Sequence, residues 1–185
     1  MNSKVINLDF FLTELNSKLK VSGKKIKLIV IGGYALHWHH FLDRITYDID
    51  TINRINDKLL YEFIDEIGLP FGAEHWLNDQ ANGMILPDGF YQRLILSHQY
   101  SQIDLFIASR IDLIYLKVAA YFYRHVDESK DLEDLKKMAP SKEEIAKGVQ
   151  FLREKHRPDA DFFIKDFLDQ VDVYYAKLLR EIYGE

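Results

Sequence analysis

Two aspartates one residue apart, Asp48 and Asp50, and two adjacent glycines, Gly32 and Gly33, are the residues whose types and spacing best suit chemistry. Around the aspartates, Ile45, Tyr47, Ile49 and Thr51 alternate with Thr46, Asp48, Asp50 and Ile52, which is the two-residue period of a strand. On a strand, residues two apart share a face with Cα atoms roughly 6–7 Å apart. Both carboxylates can therefore converge on one divalent cation or straddle two, and their hard oxygens suit Mg2+ or Mn2+. Upstream, the run Ile26 to Ile31 is apolar apart from Lys27 and stops at Gly32-Gly33. Two glycines let the backbone approach a ligand closely, and the first N–H groups of a helix that follows have no internal partners, so the turn can seat a phosphate. The pattern is that of a phosphate-handling turn coupled to a metal-binding strand.

Gly32, Gly33, Ala35, Arg44, Thr46, Asp48 and Asp50 together resemble the signature of the nucleotidyltransferase superfamily. Its pattern is an apolar strand, a Gly-Gly or Gly-Ser turn and a later Asp-apolar-Asp. The likeness is to the minimal and AbiEii-type bacterial branch, in which Gly-Gly-x-Ala and Arg-x-Ser/Thr-x-Asp-apolar-Asp recur. It implies a polymerase-beta-like mixed sheet and in-line attack of a hydroxyl on the α-phosphate of a nucleoside triphosphate (NTP), with pyrophosphate leaving. Two metal ions, Mg2+ or Mn2+, can activate the attacking hydroxyl and neutralise the leaving oxygens.

Two aspartates hold a metal pair poorly, and the family completes its site with a third carboxylate on a late strand. Asp104 is the expected third ligand and catalytic residue, because it stands alone among the apolar residues Ile103, Leu105, Phe106 and Ile107. The competing reading is a strand-end charge or a partner for Arg110. Arg44 and Thr46 are placed either to touch phosphate or to brace the loop. Lys117, unexpected in the apolar helix Ile111 to Arg124, matches a branch pattern made by Leu113, Lys117, Ala120, Arg124, Lys130, Asp131, Asp134 and Leu135. It is expected either to bind phosphate as a point charge or to pair with Asp112 or Asp131, while Arg124 suits an ion pair with Asp131 or Asp134. His37, His39 and His40 do not share one helical face, so a solvated or packed cluster suits them better than zinc.

The resemblance also bears on biology. The branch includes toxins of toxin–antitoxin and phage-defence pairs that modify transfer RNA or protein, which makes an antitoxin protein an expected partner and RNA, protein or a small molecule the acceptor. Two other readings share these residues: a non-catalytic module that binds nucleotide or a partner, and a small-molecule enzyme of the aminoglycoside type.

Composition narrows the classes. The chain has 185 residues, 29% of them charged, and a net charge of −5, which argues against a broad electrostatic grip on nucleic acid. It has no cysteine, so disulfides, thiolate metal sites and cysteine nucleophiles are excluded. No apolar leader or membrane span is apparent, and the cytoplasm is the expected location.

The elements that must position these residues follow from periodicity. Leu8, Phe11, Leu12, Leu15 and Leu19 predict an opening helix, Ile26 to Ile31 a strand, and Tyr34 to Leu42 a helix, with the metal strand over Thr46 to Ile52. Asn56 is the expected cap of a helix ending at Gly68. Met84 to Leu86 and Tyr91 to Leu96 read as a strand pair, and Gln102 to Ala108 as a further strand. Beyond Ser109 the pattern is helical, with a Ser141–Glu144 capping box and a long last helix after Pro158. The fold class expected is α+β, with an α/β catalytic core over 1–109 and a helical region over 110–185 packed on it as one compact unit.

Overall fold

The computed structural model describes residues 6–42, 46–124, 130–156 and 161–184, the side chains of 161–163 excepted. Arg44 and Pro158 lie outside these residues. The fold is α+β, with a five-stranded mixed sheet flanked by helices. Two compact units divide it: residues 1–84 with 91–109, and residues 85–90 with 110–185.

The first unit opens with α1 (Leu8–Ser22). The side chain of Asn7 accepts the Phe10 N–H at 3.0 Å, and Gly23, at φ +68°, ends the helix. An N-cap of this kind satisfies one otherwise orphaned donor. The stripe Leu8, Phe11, Leu12, Leu15 and Leu19 is buried, as its spacing predicts.

β1 (Ile26–Ile31) is the central strand, and Leu28 to Ile31 are all buried. Such a continuous apolar run suits a strand covered on both faces. The sheet order is β3-β2-β1-β5-β4. β2 (Ile49–Thr51) runs antiparallel to β1, β5 (Ile103–Ile107) parallel to it, and β4 (Ile95–Ser97) antiparallel to β5. α2 (Gly32–Trp38) begins directly at the end of β1, two residues earlier than the pattern suggests.

Several expectations are corrected. The helix after β1 ends at Trp38 and not at Leu42, and the stretch Tyr91 to Leu96 opens in a 3-10 turn, Phe90–Arg93, before β4. The expected metal strand is shorter than Thr46 to Ile52, because only Ile49 to Thr51 pair within the sheet. Asp57, not Asn56, caps α3 (Lys58–Gly68), accepting the Leu59 and Leu60 N–H groups. Met84 to Leu86 form no strand; Met84 and Ile85 are exposed, and the outer partner of β2 is instead β3 (Leu77–Asn78), held in parallel. β3 is anchored by Trp76, which is buried, donates its indole N–H to Ile64 O at 2.9 Å and meets the Phe11 ring edge-on at 5.2 Å.

The second unit contains α4 (Arg110–Arg124), α5 (Lys130–Met138), α6 (Lys142–Lys155) and α7 (Asp161–Tyr183). The Ser141–Glu144 capping box forms at the start of α6. Gly148 lets α6 approach α4, since a Cβ there would lie 3.1 Å from Val118 Cγ2. Among the described residues, no helix is long and apolar enough to cross a membrane.

Candidate active site

The register of β1 and β2 sets Asp50 directly opposite Ile31, the residue before the glycine turn. Gly32 adopts φ +68°, and a Cβ there would lie 2.6 Å from Asp50 Oδ2; a Cβ on Gly33 would lie 2.8 Å from Thr46 Oγ1. Both separations are shorter than real Cβ contacts, so a side chain at either glycine would displace the Asp50 carboxylate or the Thr46 hydroxyl, and Gly32 is further favoured by its left-handed backbone. The turn and the acidic segment are thus one site.

The backbone on each side of Asp50 is pinned. The Ile49 N–H donates to Trp76 O at 2.6 Å and the Ile52 N–H to Ile29 O at 3.0 Å. The Thr51 hydroxyl donates to Ile29 O at 3.1 Å, and the Ile29 N–H returns a bond to Asn53 Oδ1. Asp50 is half-buried and Asp48 exposed. Thr46 is buried, its hydroxyl 3.4 Å from Asp48 O, where it braces the segment leading to the aspartates. Among the described residues, no side-chain hydrogen bond caps the start of α2, whose first N–H groups have no intrahelical partner.

Asp104 stands apart. Its partner across the parallel pairing is Lys27, four positions before Ile31, which amounts to about 13 Å along the strand. Its carboxylate forms an ion pair with Lys25 at 2.8 Å, both side chains being substantially exposed. Beside the end of β1, β5 instead offers Ile107, followed by Ala108, whose N–H donates to Val30 O; both are apolar. The alternation that singles out Asp104 fixes its face of the strand, not its distance along it.

Lys117 lies in the helical unit, where its ammonium meets Asp131 Oδ1 at 2.8 Å and Asp134 Oδ2 at 2.7 Å. Both carboxylates are 1% exposed, and Arg124 adds a 2.9 Å bond to Asp131. Ion pairing accounts for both cations. His39 is packed, with its ring on Phe41 and its Nε2 2.9 Å from Ala108 O.

Among the described residues, no group of three His, Asp or Glu side chains is arranged to hold a metal ion. Two carboxylates still suit Mg2+, which is commonly held by one or two of them together with substrate phosphates.

Beside the turn lies a cavity of about 220 Å³ whose lining includes Asn7, Leu8, Asp9, Tyr34, His37 and Thr46. The Tyr34 hydroxyl donates to Asp9 Oδ1 at 2.6 Å. Burial, and then the hydrogen bond and charge of Asp9, push the Tyr34 phenol far above its ordinary range. Sequence reasoning missed this pair. Asp9 reads locally as a first-turn acid of α1, and no spacing rule joins it to Tyr34.

Residues 7–145 match the model of a family described as nucleotidyltransferase of unknown function (DUF6036). Neither a curated protein nor a solved structure matches the chain.

Proposed function

The chain belongs to this nucleotidyltransferase family, and from that premise we propose that it transfers a nucleoside monophosphate from an NTP to a hydroxyl acceptor. The observation that carries the proposal is the contact between the glycine turn and Asp50, 2.6 Å from the Gly32 Cβ position. A phosphate chain seated on the backbone of that turn would lie against the carboxylates of Asp48 and Asp50. These two side chains would hold Mg2+ or Mn2+, and the bound ion would supply charge neutralisation at the α-phosphate and the leaving oxygens.

The remaining work falls to the chain. The backbone N–H groups of the turn would orient the phosphates, and Thr46 would keep the acidic segment in place. The acceptor oxygen forms a bond to the α-phosphorus as the bond to the β-phosphate oxygen breaks. Pyrophosphate leaves with that electron pair, and the acceptor proton passes to water. RNA, protein and small hydroxylated molecules are the acceptor classes. The likeness to the toxin-like branch supports a bacterial, cytoplasmic toxin restrained by an antitoxin protein.

The test is transfer of label from each NTP, labelled at the α-phosphate, into total bacterial RNA and protein with Mg2+ or Mn2+. Asp48→Asn/Asp50→Asn should lose all transfer while keeping its melting temperature. Undiminished transfer by that variant would sink the assignment. One observation favours a second reading: Asp104 is displaced from the pair and bound to Lys25. A module that binds nucleotide or a partner without catalysis would show metal-dependent nucleotide binding and no pyrophosphate release.

A further inference from the structure

The cavity between the start of α1 and the first turn of α2 shares Tyr34 and Thr46 with the neighbourhood of the glycine turn. Tyr34 directly follows Gly33 in sequence, and Thr46 is the residue against which Gly33 packs. A ligand whose phosphates rest on the turn therefore has this cavity within reach. Its volume of about 220 Å³ is below the roughly 300–1,000 Å³ of pockets that enclose a whole drug-sized ligand, so it suits a single ring and not a complete nucleotide.

The chemistry of its wall selects among rings. Asp9 is exposed at the cavity and uses Oδ1 to accept the Tyr34 hydroxyl at 2.6 Å. An ionised carboxylate offers about four lone-pair sites and no donor, so its ligand must bring O–H or N–H groups. The same negative charge disfavours a phosphate inside the cavity. Tyr34 is 1% exposed and fixed in the core, so the carboxylate it holds is preorganised. Beside Thr13 and Tyr34, the Tyr100 hydroxyl is buried without a hydrogen bond among the described residues, and its phenol is pushed up to about 12 by burial and then by Asp9. It remains a neutral phenol at physiological pH. His37, one turn along α2 from Tyr34 with its ring 6.4 Å away, supplies a flat side wall.

We propose that this cavity is a ribose subsite, in which Asp9 accepts the vicinal hydroxyls of a ribonucleoside triphosphate whose phosphates rest on the glycine turn. The inference rests on the transferase reading above. It makes the protein a selector of ribonucleotides over deoxyribonucleotides, with the selection located on α1. A carboxylate receiving ribose hydroxyls is a recurring solution in nucleotide sites.

The experiment is calorimetric titration of the full chain, in Mg2+, with inorganic tripolyphosphate, with the tightest-binding NTP, and with the 2′-deoxy and 3′-deoxy counterparts of that NTP. The native protein should bind the ribonucleotide about tenfold to hundredfold tighter than either deoxy form, the value of a hydrogen bond to a charged group. Asp9→Asn should bring those ratios close to one while leaving tripolyphosphate affinity unchanged. Equal binding of ribo and deoxy forms by the native protein, or ratios that persist in Asp9→Asn, would overturn the subsite. So would an Asp9→Asn variant that keeps the ratios and loses transfer, because Asp9 would then serve the acceptor. Tripolyphosphate binding that survives Asp48→Asn/Asp50→Asn, or is absent from the native protein, overturns the transferase reading instead and the subsite with it.

Discussion

Asp50 Oδ2 occupies the space in which a side chain on Gly32 would begin, 2.6 Å from that Cβ position. The carboxylate and the glycine turn are consequently interdependent, and disturbance of either should be felt at the other.

Gly32→Ala is expected to abolish nucleotide transfer and to cost about 1–2 kcal/mol from the left-handed backbone alone, before any displacement of Asp50. Transfer assays and urea unfolding of the variant measure the two effects. A Gly32→Ala protein with native transfer would show that the carboxylate does not need its observed position.

Gly33→Ala should destabilise the site through a different neighbour. The atom in the way is Thr46 Oγ1, at 2.8 Å, whereas Thr46 Cβ lies at 3.5 Å. Adding Thr46→Ala removes that oxygen, together with the γ-methyl, and keeps Cβ, so Gly33→Ala/Thr46→Ala should be more stable than Gly33→Ala. Two-site cycles of this kind isolate a direct contact, and simple additivity of the two costs would argue that the contact is absent.

Asp104→Asn should retain metal-dependent nucleotide binding, since Asp104 is paired with Lys25 at 2.8 Å. A loss as deep as that of Asp50→Asn, in the same binding assay, would place Asp104 among the metal ligands after all.

Lys117→Met should weaken the helical unit by about 3–5 kcal/mol, the usual cost of stranding buried charges, because Asp131 and Asp134 are each 1% exposed. Combining it with Asp131→Asn and Asp134→Asn should recover part of that loss. Denaturant midpoints of the two proteins decide the matter.

Stability should also respond to His156. Its Nε2 is buried without a hydrogen bond among the described residues, and its ring meets Phe151 edge-on at 5.1 Å. Burial lowers its pKa from 6.5, so the unfolded chain takes up the proton first. The contribution of neutral His156 is complete above pH 6.5 and is lost as the pH falls toward the lower folded-state value. The melting temperature should therefore drop as the pH is lowered from 7 to about 5, and His156→Phe should reduce that drop. Glu144 acts in a lower window. Burial raises its pKa, but the Arg110 hydrogen bond and the Ser141 N–H outweigh this and hold it below 4.5, so its contribution is lost only under more acid conditions.

Local patterns were legible wherever the physics is local. Asn7 and Gly23 bound α1, Ser141 and Glu144 form their capping box, and the apolar run Ile26 to Ile31 is the central strand. The glycines announce a close approach, read from the sequence as that of a phosphate; that the Asp50 carboxylate is the group against Gly32 was not legible. Nor was register. Alternation alone puts Asp104 on a face, and only pairing with β1 shows that it stands opposite Lys27. The role of Lys117 was open for a related reason: a lysine in an apolar helix needs an anion, and a carboxylate or a phosphate would serve. The exposed Met84 and Ile85 show that an apolar triplet between turn signals makes a strand only when the sheet has an edge for it.

The parallel pairing of Ile26 with Ile103 has a consequence for the order in which the molecule is made. Contacts between distant parts of a chain close slowly, and a chain emerging from the ribosome presents its N-terminal segments first. β1 and the glycine turn are therefore synthesised long before β5, the strand that completes their sheet on one side. A nascent chain that stops short of Ile107 has every residue of the turn and both aspartates but lacks the flanking strand. The sheet that carries the turn is thus completed on that side only once Ile107 has been translated.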